Sequence, residues 1–254
     1  TSPGYRRFGR FTIRDHRNYG VLSLTDIIVK SSNVGISKIA TELGGDLIRD
    51  LYARMGFGQP TGVGFPGEAV GVLPAPPKWR PVEEATMSYG YGMSVNALQL
   101  AQAYMVLANG GIRYPLSLIK VDEPPVGERV LSEKVTYQVR EMLRQVVERG
   151  TGTRARPGFY SAGGKTGTVH LVGSHGYEDS QYKAIFAGMA PIEDPRIVTV
   201  VAVDAPQSGE YYGGEVAAPG FARGMSDALR LLNVKPELDV SGSGEAPGSV
   251  GARG

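Results

Sequence analysis

Three consecutive strand-like segments with helical sequence on both sides limit the folds open to this chain. The segments are residues 164–172, 183–190 and 196–203, and a turn of Pro and Asp at 191–195 joins the last two. Their β-branched and small residues, bounded by turn signals, are typical of strands. Helices before and after such a strand meander pack onto the sheet, so we predict an α+β fold with an antiparallel sheet flanked by helices.

The clearest helix begins after Ser132, which we expect to be its N-cap, and it ends before Gly150. Its predicted apolar stripe comprises Val135, Val139, Met142, Leu143 and Val146. Other helices are predicted from about Leu24, from residue 34, across 95–108 through Leu98, Ala101, Met105 and Ala108, and across 218–234. A strand and turn at 8–19, an ordered loop at 56–81 and a strand at 115–121 complete the prediction.

Composition narrows the class of protein. The chain has 254 residues, 41% of them hydrophobic, which is enough for a packed domain, and we predict one domain over 1–240 with a flexible Gly/Ser-rich tail at 241–254. Net charge is +2 with basic residues spread along the chain, which predicts no nucleic-acid partner. The sequence contains no cysteine and no apolar run of about 18 residues that could span a bilayer, and we expect no signal peptide within these residues.

The segment "SAGGKTGTVHLVG" at 161–173 contains the glycine–lysine signal of phosphate-binding loops. A Walker loop needs glycine five residues before its Gly-Lys pair, where this chain has Phe159, with Gly158 one residue too early. The residues that follow are typical of a strand and not of a helix. We therefore reject a nucleotide site.

A strand is the better interpretation of residues 165–168. Side chains alternate along a strand, so Lys165 and Gly167 share one face and Thr166 and Thr168 the other. Gly167 leaves room for a ligand, while the hydroxyls and the lysine charge can hold an anionic end group of an extended peptide. A bulge in an ordinary strand would explain this tetrapeptide equally well.

A second short pattern is Ser31-x-Asn33 in "KSSNVGISKIATEL". Serine and asparagine are preferred helix N-caps, and a helix begins here, so capping alone could explain them. The functional alternative places Ser31 in a cleft as a proton relay and Asn33 as an amide-binding group. The order of the patterns favours the second interpretation, because Lys-Thr-Gly follows Ser31 by 134 residues near the C-terminal end.

This ordered pair resembles the penicillin-recognising serine acyltransferases, whose motifs are Ser-x-x-Lys, Ser-x-Asn and Lys-Thr-Gly. The surrounding sequence is similar to class B penicillin-binding proteins of the division type, the penicillin-binding protein 3-like transpeptidases, across residues 1–235. The most specific stretches are "FTIRDHRNYGVLSLTDIIVKSSNVGISKIA", "SYGYGMSVNALQLAQAYMVLANGG", "AGGKTGT" and "YYGGEVAAPGF".

The resemblance implies a peptidoglycan D,D-transpeptidase that binds stem peptides and β-lactams, needs no cofactor and works at the periplasmic face of the inner membrane with division proteins. Ser31 would relay a proton, Asn33 would hold the acyl amide, and Lys165 would contact Ser31 and supply positive potential. Thr166 and Thr168, on either side of Gly167, would bind the terminal carboxylate, with the Thr168 N–H in the oxyanion hole. Tyr211 and Tyr212 would form an aromatic wall or, equally, pack in the core.

The nucleophilic serine of this family is expected upstream of Ser31. The chain offers Ser117-x-x-Lys120 and Ser180-x-x-Lys183, but both follow Ser-x-Asn in the wrong order, and we reject them. We therefore expect that the chain begins inside the domain and that a missing N-terminal segment carries the serine.

Two other functions stay open at this point: a carboxypeptidase or β-lactamase on the same fold, and a non-catalytic binding domain. His16, His170 and His175 show no metal-ligand spacing, and we predict no metal site.

Overall fold

The computed structural model describes residues 1–123, 125–173, 176–207 and 209–237. The predicted tail at 241–254 and His175 lie outside the described residues. The helices are α1 (Leu24–Lys30), α2 (Asn33–Leu43), α3 (Gly45–Arg54), α4 (Pro81–Met87), α5 (Ala97–Ala108), α6 (Glu133–Arg149) and α7 (Gly213–Leu231), with a short 3₁₀ turn at Thr153–Ala155. The strands are β1 (Tyr5–Phe8), β2 (Phe11–Arg14), β3 (Ile112–Arg113), β4 (Glu128–Arg129), β5 (Gly163–Gly173), β6 (Gly176–Ala190) and β7 (Ile197–Asp204). No helix among these residues is long and apolar enough to cross a membrane.

The three predicted strands form one antiparallel sheet in the order β5-β6-β7. Lys165 lies opposite Ala187 and Thr166 opposite Phe186, and the register continues evenly through residue 170. Strand β5 has a strand neighbour on one side only among the described residues. The predicted α+β fold is confirmed, and the segment containing Lys-Thr-Gly is an edge strand.

The two faces of the sheet bury two separate hydrophobic clusters. On one face Phe186 packs against Phe221 of α7 with ring centroids 4.7 Å apart, and both side chains are fully buried. On the other face Met189 and Ile192 pack against Leu107 of α5 and Leu143 of α6. Helices on both faces therefore position the sheet between two layers.

Helix α6 begins as predicted, because the Ser132 hydroxyl accepts a hydrogen bond from the Val135 N–H. Gly150 follows its last turn in an extended conformation, where a Cβ would lie 2.7 Å from the Val29 carbonyl oxygen. The predicted stripe is correct at Leu143 and Val146, which are buried. Val135 is 42% exposed, since the first turn borders an open cleft.

Helix α5 buries a different face from the one predicted. Leu98 is 38% exposed, whereas Gln99 is completely buried. The Gln99 amide donates to the carbonyl oxygens of Gln59 and Val70 at 2.7 and 2.9 Å, and Gln102 donates to that of Tyr114. Buried amides that satisfy loop carbonyls replace apolar contacts on this face, and they hold the predicted loop at 56–81 in place.

The predicted strand at 115–121 is wrong. The segment has no strand partner among the residues that the structure describes, and Leu118 and Ile119 are 67% and 79% exposed. Its Ser117 hydroxyl donates to the Ile119 carbonyl and accepts from the Ile119 N–H in a local turn. Alternating sequence without a neighbouring strand does not form a sheet. Helices α3 and α4 were not predicted.

Candidate active site

An open cleft of about 1410 Å³ lies between the edge strand β5 and helices α1, α2 and α6. Its lining contains every site residue predicted from the sequence: Ser31, Asn33, Lys165, Thr166, Gly167, Thr168, Tyr211 and Tyr212. The lining also includes the less polar side chains of Tyr104, Val139 and Met142. The structure therefore brings together residues that lie up to 181 positions apart in the sequence.

Ser31 is held at the junction between α1 and α2. It ends α1 in the left-handed conformation, with φ of 56°, a strained backbone for a residue other than glycine. The N-cap of α2 is Ser32, whose hydroxyl accepts from the Gly35 N–H at 2.9 Å. Ser31 and Asn33 are therefore not the N-cap of α2, and Asn33 lies on the first turn of α2 at the cleft.

Lys165 connects the edge strand to this junction. Its Nζ donates to the Ser31 Oγ at 2.9 Å and to the Thr166 carbonyl oxygen at 3.0 Å. Burial of the ammonium lowers the pKa of Lys165 to about 8, although the whole side chain retains some exposed surface. A lysine near neutral pKa beside a serine hydroxyl is suited to moving a proton.

The two threonines lie on the other face of β5, as the alternation predicts. The hydroxyls of Thr166 and Thr151 are 2.8 Å apart, and the Thr168 hydroxyl accepts from the Gly213 N–H at 3.0 Å. Because it accepts that bond, the Thr168 hydroxyl still has its own hydrogen to donate into the cleft. At Gly167 an added Cβ would meet only Ile185, at an ordinary 3.5 Å, so this part of the strand is open.

A row of rings borders the cleft beside the threonines. Tyr211 stacks on Tyr182 with centroids 4.2 Å apart, and the Tyr211 and Tyr212 rings are 4.4 Å apart. His170 contacts Tyr182 and His16 contacts Tyr212 in the same row. The hydroxyls of Tyr211 and Tyr212 form a hydrogen bond of 3.1 Å, and this contact raises the pKa of Tyr212. The row belongs to the cleft and not to the core.

Sequence reasoning missed residues that hold the predicted ones in place. Asp15 accepts from the Ser32 hydroxyl at 2.6 Å and from the Val34 N–H at 3.0 Å, which fixes the start of α2. Thr151 contacts Thr166, as described above. Gly-Thr-Gly after a helix and an acid after a strand were visible signals, but only the folded chain shows what they contact.

The described residues of the two rejected Ser-x-x-Lys matches have other contacts. Ser117 lies in the turn described above, and the Lys183 ammonium pairs with Asp204 at 3.0 Å. Across the described residues, no group of three or more His, Asp or Glu side chains lies close enough to hold a metal ion.

The geometry can now be compared with known proteins. The family model described as "Penicillin binding protein transpeptidase domain" matches residues 1–226. The chain belongs to this transpeptidase family. It is 40% identical over 237 residues to the peptidoglycan D,D-transpeptidase FtsI of Escherichia coli K12, covering 93% of this chain and 40% of that protein. It is 39% identical over 231 residues to the probable peptidoglycan D,D-transpeptidase PenA of Neisseria gonorrhoeae, covering 91% of this chain and 40% of that protein.

The fold of this transpeptidase domain is also that of solved relatives. The apo transpeptidase domain of penicillin-binding protein 3 from Burkholderia pseudomallei superposes with a TM-score of 0.88 at 41% identity, covering 93% of this chain and 72% of that one. The resemblance to the penicillin-binding protein 3 type is thereby confirmed. The chain spans about two fifths of the length of the curated relatives it matches.

Proposed function

We propose that this domain forms the substrate-recognition half of a peptidoglycan D,D-transpeptidase that cross-links stem peptides through a serine acyl-enzyme. The observation that carries the proposal is the 2.9 Å hydrogen bond from Lys165 to Ser31, formed across 134 residues in an open cleft. Kinship with D,D-transpeptidases supports the reaction class, and no cofactor is needed for it.

The nucleophile is a serine from a part of the protein outside these 254 residues. Its Oγ attacks the carbonyl carbon of the penultimate D-alanine, a C–O bond forms and the C–N bond to the terminal D-alanine breaks. The proton that this serine loses enters the relay that protonates the departing amine. An amine from a neighbouring stem then attacks the acyl carbon and forms the cross-link, the serine C–O bond breaks, and the proton that the attacking amine loses returns to the serine oxygen. The less polar part of the cleft lining, which includes Val139 and Met142, would receive the segment that bears this serine.

Ser31 delivers the proton to the leaving amine. Because its oxygen accepts from the Lys165 ammonium, its own hydrogen is free to point into the cleft. At pH 7 Lys165 is mostly protonated, since its pKa is about 8, and it can restore the proton that Ser31 gives up. Asn33 holds the amide of the acyl group from the first turn of α2.

The carboxylate of the terminal D-alanine binds beside the ammonium. Thr166 and Thr168 donate hydroxyl hydrogen bonds to it, and Lys165 supplies positive charge, a pattern that strengthens hydrogen bonds to anions. The β-lactam carboxylate occupies the same place. The Thr168 N–H, on the edge strand, acts in the oxyanion hole together with the N–H of the nucleophilic serine. Tyr211 and Tyr212 line the side of the substrate.

In the cell we place the protein at the periplasmic face of the inner membrane, where it acts in septal synthesis together with membrane proteins of the division machinery. The substrate lies on that side of the membrane, and kinship with FtsI supports the division role.

The function is tested by mixing the full-length protein with a fluorescent penicillin and following the adduct. A transpeptidase forms a covalent adduct that persists for many minutes. Rapid release would indicate a hydrolase of the β-lactamase or carboxypeptidase kind, and no adduct at all would indicate a non-catalytic binding domain.

A further inference from the structure

The hairpin formed by β1 and β2 concentrates basic charge at one end of the molecule. Residues 5–19 contain five arginines and a single acid, Asp15. The even spread of charge expected from the sequence is therefore wrong for this segment. Asp15 is occupied with the start of α2, as described above.

The hairpin has an inner and an outer face. Ile13 is buried against Val34, and Phe8 packs beside them, so their face is the inner one. Tyr5 lies opposite Arg14 in the register, and Arg7 shares their face, which points to solvent.

Two guanidinium groups stack on one ring of this outer face. The guanidinium carbons of Arg7 and Arg14 each lie 5.6 Å from the centre of the Tyr5 ring. At the turn, Arg10 lies 5.2 Å from the Phe11 ring. Stacking holds a guanidinium in place and leaves its N–H groups at the edge, where they can bind an anion in a bidentate manner. We call Tyr5, Arg7, Arg10 and Arg14 the arginine face.

The charges of the arginine face are not neutralised within the described part of the chain. None of its three arginines forms an ion pair with a described carboxylate, whereas Arg144 pairs with Glu141 and Glu148 on α6. Exposed cations on a shared surface attract an anionic partner, and they do so most strongly at low salt.

The arginine face is continuous with the active-site cleft. Arg14 belongs to both, since it also lines the cleft next to His16. The bonds from Asp15 to Ser32 and Val34 fix the end of β2 to the helix that follows Ser31. The arginine face and the cleft therefore share Arg14 and border each other.

We propose that the arginine face is a docking surface for carboxylates of the peptidoglycan strand other than the one at the D-Ala-D-Ala end. The proposal rests on the proposed function, because it takes the partner to be the polymer whose stem peptide enters the cleft. Stem peptides bear further free carboxylates, which match guanidinium groups in charge and geometry. Anionic lipid has the same charge, but Arg14 at the cleft wall favours the substrate polymer.

The test is co-sedimentation of the full-length protein with purified insoluble peptidoglycan at several salt concentrations. The double variant Arg7→Gln/Arg10→Gln removes the two arginines of the arginine face that lie outside the cleft. It should bind the polymer about tenfold more weakly, and its binding should depend less on salt. Arg223→Gln, an exposed arginine on α7, is the matched control and should bind as the wild type does. Arg7→Lys/Arg10→Lys should lie between, because lysine keeps the charge and loses the bidentate fork. Converting the polymer carboxylates to amides should lower wild-type binding to the level of the glutamine pair.

The outcomes distinguish failure of the docking surface from failure of the proposed function. Equal sedimentation of the wild type and the glutamine pair, or no effect of amidation, would overturn the docking surface, and unchanged penicillin labelling would leave the proposed function standing. Arginine-dependent binding to phosphatidylglycerol vesicles and not to the polymer would also overturn it. A wild type that binds the polymer through these arginines but takes up no penicillin would support the docking surface and count against the proposed function.

Discussion

The first two residues of strand β5 differ sharply from the four that follow them. A Cβ at Gly163 would lie 2.5 Å from the Ile192 side chain, and one at Gly164 would lie 2.7 Å from the Phe186 ring. At Gly167 the nearest atom would be 3.5 Å away. The glycines of "GGKTG" therefore have two different roles. The first two let the strand pack into the core, and the third leaves the cleft open.

The packed region beside the sheet stabilises the domain, whereas the cleft carries the groups proposed for chemistry. Phe186 and Phe221 are fully buried on one side of the sheet. Lys165 and Ser31, by contrast, place an ammonium and a strained backbone at the cleft, and both cost stability. The stability of the packed half of the strand offsets the cost of the site, and substitutions in each half should therefore have different effects.

Phe221→Ala should have the largest effect, on stability. Removing a fully buried ring leaves a cavity and should lower the free energy of unfolding by about 3–5 kcal/mol. Denaturant unfolding of the full-length protein measures it. Leu231→Ala, at a position 83% exposed on the same helix, is the control and should change little. A loss below about 1 kcal/mol for Phe221→Ala would contradict the packed half of the comparison.

Gly164→Ala and Gly167→Ala form a matched pair on one strand. The first forces a methyl group against Phe186 and the Ala187 carbonyl, and should cost about 1–3 kcal/mol of stability. The second should cost less than about 1 kcal/mol but slow penicillin acylation about tenfold, because the methyl group narrows the ligand side of the strand. Unfolding and acylation rates are measured on both. Equal losses of stability would show that the two glycines do not differ.

The acylation rate should fall as pH rises above about 8, because Lys165 then loses the charge that attracts the substrate carboxylate. The folded pKa lies below the unfolded value near 10.5, so the unfolded state binds more protons between the two. The stability cost of this group is therefore complete below pH 8 and is relieved as pH rises through that window. At pH 7 the unfolding temperature of Lys165→Met should therefore be no lower than that of the wild type. A rate that is flat to pH 10, or a clear drop in the unfolding temperature of Lys165→Met, would argue against a buried, functional ammonium.

Thr151→Val should have the smallest effect. It removes one hydroxyl contact to Thr166, which should lower the free energy of unfolding by about 1 kcal/mol at most and slow acylation a few-fold. Thr151→Ser keeps the hydroxyl and should restore the rate. If serine and valine behave alike, Thr151 does not position Thr166.

Much of the fold follows from local sequence patterns. Ser132 caps α6 by a bond that the sequence already implies, and the three strands of the sheet carry β-branched and small residues. The segment at 115–121 shows the limit of such patterns, because its alternating sequence pairs with no strand in the described part of the chain. Helix α5 shows another limit, because the burial of Gln99 depends on loop carbonyls that the sequence does not locate.

The order of the motifs along the sequence predicts which residues meet at the site, but it does not predict their geometry. Ser31 and Lys165 were expected to meet, and they do. The sequence does not predict why the Ser31 side chain faces the cleft and does not cap α2. That depends on Ser32 taking the cap and on Asp15 binding Ser32, a contact between side chains 17 residues apart. The arginine face was likewise invisible until the hairpin register separated its two sides.

The central claim is that Ser31 and Lys165 act as one unit in acyl transfer, and a double-mutant cycle on the acylation rate tests it most directly. In the full-length protein, Ser31→Ala and Lys165→Ala should each slow penicillin acylation by about 10²–10³. Together they should be no slower than the worse single variant, because residues that act as a unit are not additive. If the double variant were slower by the product of the two single effects, or if either single variant were labelled almost as fast as the wild type, the claim would be wrong.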